Sequence, residues 1–154
     1  MHRRRTILQH DRVMIGSDAG ATAPYGVLGR GHPHPRAYGT FPRVLGTYVR
    51  ELGVISLEEA IHRMTGLTAW RLGLTDRGLL RAGYKADLVL FDAQRVADQA
   101  TYDSPHRYPT GVEWVIVNGQ VVLRHGERLP VLPGRVLLRQ GTAPERRVMV
   151  DTDA

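Results

Sequence analysis

Apolar and polar positions divide the chain into two halves with different periods. Val13 to Gly16, inside "RVMIGSDAG" (residues 12–20), is a short continuous apolar run, the pattern of a strand buried on both faces. It ends at Ser17-Asp18. From 19 to 40 there is no period and Gly and Pro are frequent, which predicts a long loop. A helix is expected to start near Phe41-Pro42, because a proline in the first turn has no intrahelical bond to lose. Leu45, Val49 and Leu52 recur at helical spacing and predict its buried face, and Gly53 supplies the stop. Ser56-Leu57-Glu58-Glu59 reads as a capping box. The Ser56 hydroxyl would accept a free N–H of the first turn, and Glu59 would reach back to the cap's own N–H. Leu57, Ala60, Ile61 and Met64 form the apolar stripe of the helix that follows, with His62 off the stripe and facing solvent. A shorter helix, Thr68 to Leu72, stops at Gly73.

Beyond Gly73 the period becomes two. "YKADLVLFD" (84–92) reads as a strand. In "EWVIVNGQVVL" (113–123), Asn118-Gly119 separates two β-branched runs, which predicts a hairpin on a type I′ turn. "GRVLLRQ" (134–140) suggests a further strand, while residues 1–10 and the chain beyond Gly141 read as loose charged ends. The pattern predicts an α/β chain: strand, loop and helices first, a small antiparallel sheet second. No internal repeat is visible.

Composition narrows the class without naming an activity. The chain has 154 residues, 42% hydrophobic and 23% charged, the size and make-up of one ordinary globular domain. No run approaches the ~18 apolar residues of a membrane span. Met1 to Arg5 is basic, but no apolar stretch of signal-peptide length follows. The expectation is a soluble, cytoplasmic protein with no membrane partner. The absence of cysteine excludes disulfides, a thiolate nucleophile and a Cys-built zinc site, and leaves His and carboxylate ligands open. Net charge is +6, and every basic residue but Lys85 is arginine. Beyond Arg3 to Arg5 these arginines are scattered among acids. The reading is a solvated surface and no nucleic-acid partner, since nucleic-acid binders concentrate charge on one face.

Several residues carry possible chemistry. Asp18 stands where an apolar strand ends, the place where α/β barrels put catalytic groups; a cap or turn at the strand exit is the plainer use of an aspartate there. His32-Pro33-His34 imitates a metal-binding H-x-H pair, but prolines on both sides of His34 deny it the strand geometry that points two imidazoles the same way, so a stiff surface loop is preferred. "GVLGRG" (26–31) lacks the Lys-Ser/Thr of a phosphate loop. Asp76, Asp87 and Asp92 sit near turns and strand ends, His106 in a loop, and Trp70 and Trp114 read as core aromatics. No nucleophile elbow or H-E-x-x-H motif occurs.

Five stretches together resemble one family. "VMIGSDA", "HPRAYGTFPRVLGTYVRE", "SLEEAIHRMTGLTAWRLGLTDRGLLRAGYKADLVLFD", "TYDSPHRYPTGVEWVIVNGQVV" and "PGRVLLR" resemble the C-terminal part of N-acyl-D-amino-acid deacylases (D-aminoacylases), in the metal-dependent amidohydrolase superfamily. The resemblance runs over roughly residues 11–139. It implies the C-terminal remnant of a (β/α)8 barrel, its last strand and following helices in 1–73, joined to a small antiparallel β-domain in 74–154. It implies zinc as cofactor, an N-acyl-D-amino acid as substrate, and hydrolysis to a carboxylate and a D-amino acid. Asp18 matches the strand-eight aspartate, a metal ligand and the catalytic acid/base. Arg36 matches an arginine suited to holding the substrate carboxylate with a planar fork of donors. Asp87 falls in the small β-domain and reads as structural.

The other ligands expected of such an enzyme, a strand-one H-x-H pair and two later histidines among them, have no counterpart in these 154 residues. The expectation is therefore a segment inactive by itself, with a separate N-terminal barrel polypeptide or self-association covering its apolar faces. A non-catalytic β-sheet interaction module derived from that fold is the alternative.

Overall fold

The computed structural model describes residues 6–20 and 23–138. A 3₁₀ turn at Val27–Gly29 precedes helix α1 (Arg36–Arg43), which runs on as a π-helical segment, Val44–Glu51. Helices α2 (Leu57–Met64) and α3 (Gly66–Leu72) follow. Strands β1 (Leu88–Phe91), β2 (Val112–Val117), β3 (Gln120–Arg124) and β4 (Glu127–Arg128) form one antiparallel sheet in chain order.

The helical half follows its local chemistry with two departures. α1 starts at Arg36, so Pro42 lies inside it rather than in its first turn. Proline has no N–H to give, and the ladder changes from i→i−4 to i→i−5 bonding directly after it. The wider turn moves the buried face. Val44 and Gly46 are buried, Leu45 and Val49 are half-buried, and Leu52 is exposed, where the spacing predicted Leu45, Val49 and Leu52. Gly53 then adopts φ 55°, and its N–H bonds the Val49 carbonyl at 3.0 Å, ending the helix as expected.

In α2 the Ser56 hydroxyl accepts the Glu59 N–H at 3.2 Å. The reciprocal half of the box is not made by Glu59, whose carboxylate turns to Arg63 at 2.5 Å. Glu58 lies against the cap instead; its own backbone N–H, and then the Ser56 hydroxyl, hold its carboxyl below the usual range. Ala60 is buried, Leu57 and Met64 are half-buried, and His62 faces solvent. α3 ends at Gly73, left-handed at φ 71°.

Arg63 ties the N-terminal arm to this helix. It is the buried charged residue of the described chain, 3% exposed. Its guanidinium is shared between Glu59 and the Leu8 carbonyl, and its own carbonyl accepts the Ile15 N–H at 3.4 Å. Residues 12–18 therefore form no strand. Val13 and Ile15 are only half-buried and Met14 is exposed, because a parallel strand needs bonded neighbours on its flanks and the sheet does not include this run.

The sheet is a meander. β1 pairs with β2 from Leu88↔Ile116 to Phe91↔Val112, with a register shift at Leu90/Phe91. β2 and β3 join through Asn118 (φ 47°) and Gly119 (φ 80°), the left-handed pair that a type I′ turn requires. Asp87 is structural, as expected: one oxygen accepts the Asn118 N–H at 2.7 Å and the other pairs with Arg77. These bonds, with Lys85 N–H on the Asp76 carbonyl at 2.8 Å, take residues 84–87 out of the predicted strand, which shortens to Leu88–Phe91. A second turn at His125 (φ 49°) and Gly126 (φ 83°) leads to β4, which the pattern did not predict. Within the predicted strand 134–140, residues 134–138 are irregular, with Val136 and Leu138 exposed; 139 and 140 lie outside the described residues, as does the tail.

The two halves meet around Val96, 1% exposed. Gly39 and Gly46 of the long helix both lie against the segment 96–100, and a Cβ on Gly46 would stand 2.7 Å from the Val96 carbonyl oxygen. From the other side Gly111, at φ 75°, would place a Cβ 2.5 Å from the Val96 nitrogen. Arg50 donates to the Val96 carbonyl at 2.7 Å and to the Ala93 carbonyl at 3.2 Å, and Arg43 pairs with Asp98 at 2.9 Å.

Gly46→Ala is expected to destabilise the chain by roughly 1–3 kcal/mol, the cost of overpacking, although helix propensity alone would favour alanine by about 1 kcal/mol. Gly111→Ala adds backbone strain to the clash, so its urea midpoint should lie below that of Gly46→Ala. Arg63→Ala should release the arm: amide exchange at Ile15 rises, and stability falls by roughly 1–3 kcal/mol, because the Leu8 carbonyl and Glu59 both lose a charged donor.

Candidate functional site

The two residues that the sequence singled out are brought together. Asp18 has left-handed backbone, φ 50°, a conformation aspartate tolerates better than most residues. Arg36 is the first residue of α1, set directly after Pro35. Their side chains pair at 3.0 Å between Arg36 Nη1 and Asp18 Oδ2. Both are open to solvent, 47% and 85% exposed respectively, so the pair contributes about 0–1 kcal/mol. A second carboxylate can therefore compete for the remaining guanidinium donors.

The His-Pro-His segment belongs to this site in a different way from a metal pair. His34 Nδ1 accepts the Arg36 N–H at 3.0 Å. That assigns the ring proton to Nε2, which lies 3.0 Å from the Tyr102 hydroxyl. The rings of His34 and Tyr102 meet edge to face, 5.0 Å apart at 78°. His32 donates from Nε2 to the Tyr102 carbonyl. Both imidazoles are committed to one tyrosine 68 and 70 positions away.

One turn further on, Tyr38 packs edge to face against His106, at 5.7 Å, and Tyr108, at 6.0 Å. Its buried hydroxyl finds no hydrogen-bond partner among the described residues. The Tyr108 phenol titrates above its usual value, raised first by burial and then by Tyr25 and Tyr38, against the opposing charge of Arg128. Sequence reasoning assigned no role to His34, Tyr38 or Tyr102. Their stretches were in view, but nothing in local spacing reports contacts nearly 70 residues apart.

The other sequence candidates take structural places. "GVLGRG" holds the 3₁₀ turn, with Val27 and Leu28 exposed. Asp92 accepts the Gln94 N–H at 2.8 Å in a turn, and Asp76 pairs with Arg77. Trp70 is half-buried, and Trp114 stands half-buried in the sheet between His125 and Arg124.

Zinc needs three or more protein ligands converging on one point. Among the described residues no three His, Asp or Glu side chains do so, and Asp18 offers a single carboxylate already facing an arginine. These residues alone do not fit a complete zinc site. Among the described residues no helix is long and apolar enough to cross a membrane.

Known proteins share both the sequence and this arrangement of elements. N-acyl-D-aspartate deacylase of Alcaligenes xylosoxydans xylosoxydans is 50% identical over 132 residues, covering 85% of this chain and 25% of that protein. A D-aminoacylase structure, described for the role of its binuclear metal centre, superposes with a TM-score of 0.74 at 45% identity, over 82% of this chain and 25% of its own. N-acyl-D-glutamate deacylase of Bordetella bronchiseptica, solved with zinc and a phosphonate mimic of the tetrahedral intermediate, gives 0.69 at 45% identity, over 77% of this chain and 23% of its own. The chain spans about a quarter of the length of the curated relatives it matches. The profile of the amidohydrolase family matches residues 2–123, so the chain belongs to the amidohydrolase family.

Proposed function

We propose that these residues are the C-terminal part of a zinc-dependent amidohydrolase that cleaves the amide of N-acyl-D-amino acids. Residues 1–73 carry its eighth barrel strand and following helices, and 74–154 belong to its small β-domain. In that assembly 12–18 gains the parallel neighbours that a strand requires. Asp18 contributes one oxygen ligand to the metal site, and the other ligands come from polypeptide beyond these residues.

Asp18 and Arg36 divide the work on the substrate. Arg36 holds the α-carboxylate and so fixes the amide relative to Asp18. As water adds to the acyl carbon, Asp18 accepts its proton and passes it to the amide nitrogen; the C–N bond breaks, leaving a carboxylate and a D-amino acid. The observation that carries this reading is the 3.0 Å approach of Asp18 and Arg36, two residues 18 positions apart that the family resemblance assigns to one site. The relatives' activity on N-acyl-D-aspartate and N-acyl-D-glutamate supports the substrate class.

Purified 1–154 with stoichiometric zinc is expected to release no acetate from N-acetyl-D-glutamate or N-acetyl-D-aspartate. Release by the chain alone would contradict its role as one part of a site. Combined with the N-terminal polypeptide of a deacylase relative, it should gain activity. In that complex Asp18→Ala should lower kcat by about 10²–10⁴, the usual scale for a lost proton-transfer group. Full activity in the Asp18→Ala complex would remove Asp18 from the mechanism.

A further inference from the structure

We propose that His34, braced by Tyr102, is a positioning residue for Arg36, and that the His-Pro-His segment serves carboxylate recognition rather than metal binding. The inference rests on the reading of Arg36 as the carboxylate-holding residue. Its basis is a continuous chain of contacts. The Tyr102 carbonyl receives His32, the Tyr102 hydroxyl meets His34 Nε2, and His34 Nδ1 receives the Arg36 N–H.

That last bond does specific work at the start of α1. Pro35, the residue before the helix, makes no side-chain cap bond and has no N–H of its own. The Arg36 N–H is one of the first-turn donors that the helix cannot satisfy internally. His34 takes it from two residues upstream, as an aspartate or asparagine does in an Asx turn. Pro33 and Pro35 on either side restrict the backbone that carries the ring. Arg36 thus begins from a fixed Cα, and less conformational freedom is lost when its fork meets a carboxylate.

Protonation of Nδ1 would replace an acceptor by a donor facing the Arg36 N–H. The bonded partners of this ring are the Arg36 N–H at Nδ1 and the Tyr102 hydroxyl at Nε2. The position needs an acceptor, which asparagine supplies and alanine does not.

The test uses the ¹⁵N-labelled chain combined with the N-terminal polypeptide of a deacylase relative, and N-acetyl-D-glutamate as probe, followed at the Arg36 amide and guanidinium. In the wild type the guanidinium signal should shift saturably with the probe. His34→Ala should speed Arg36 amide exchange roughly fivefold, the scale of one lost capping bond, and weaken probe affinity severalfold. Tyr102→Phe should move both in the same direction by less, and His34→Asn should restore both. The proposal is overturned if His34→Ala changes neither quantity. It is also overturned if exchange quickens while probe affinity stays the same, for His34 is then a helix cap alone. The underlying reading of Arg36 fails separately, and takes the proposal with it, if the wild type does not respond or if Arg36→Ala binds the probe as the wild type does. Loss of binding in Arg36→Ala with full binding in His34→Ala sinks only the role given to His34.

Discussion

The close approach at Val96 holds the two halves of this chain in one piece. A valine on an irregular segment is enclosed because glycines stand on both sides of it, Gly46 on the long helix and Gly111 before β2. Dispersion contacts fall off steeply with distance, so a single Cβ on either side would open the joint. Arg50 adds direction, since it satisfies two carbonyls, at Ala93 and Val96, that the irregular backbone would otherwise leave without helix or sheet partners. The segment it anchors continues into 101–108, which carries Tyr102 and Tyr108 to the start of α1. The packing at Val96 therefore sets the distance across which His34 and Tyr102 meet.

The Asp18–Arg36 contact is weak, as the proposed carboxylate recognition requires. An exposed pair between Asp18 and Arg36 is nearly neutral in free energy, so neither group is locked to the other. A buried pair of the same geometry would resist separation and could not open for a substrate carboxylate at small cost. Rigidity is supplied through the backbone instead, by the hydrogen bond from the Arg36 N–H to His34. Exposed charges beside a bonded main chain are consistent with the proposed completion of this site by further polypeptide, the matched relatives being more than three times as long.

What could be read in the sequence was whatever is decided within a few residues. Ser56 announced α2, Gly73 ended α3, and Asn118-Gly119 fixed the hairpin, because caps and turns depend on local backbone chemistry. The π-helical segment was not legible: Pro42 was read as part of a first turn, whereas the helix starts six residues before it, at Arg36, and widens after it. β4 was missed because it is only two residues long, too short for an alternating pattern, although the Gly126 before it was a turn signal. Residues 12–18 have the composition of a buried strand without the partners that make one, a property of the surroundings and not of the run. Asp18 was marked by its place after an apolar run, its expected role and Arg36 came from resemblance to a family, and their 3.0 Å contact came only from coordinates. Asp87, by contrast, was read correctly as structural, since carboxylates beside tight turns usually serve the backbone.

Few apolar side chains are enclosed among the described residues: Val44, Ala60, Ala69, Val96 and Ala100, none larger than valine. Larger ones such as Leu80, Leu90, Leu132 and Leu138 already meet water in the folded state. Unfolding therefore hydrates little new hydrocarbon, and the heat-capacity increment and denaturant m-value should both be small for a chain of this length. The stability curve is correspondingly flat and its thermal transition broad, so a calorimeter would register this sparsely enclosed interior as a shallow melt.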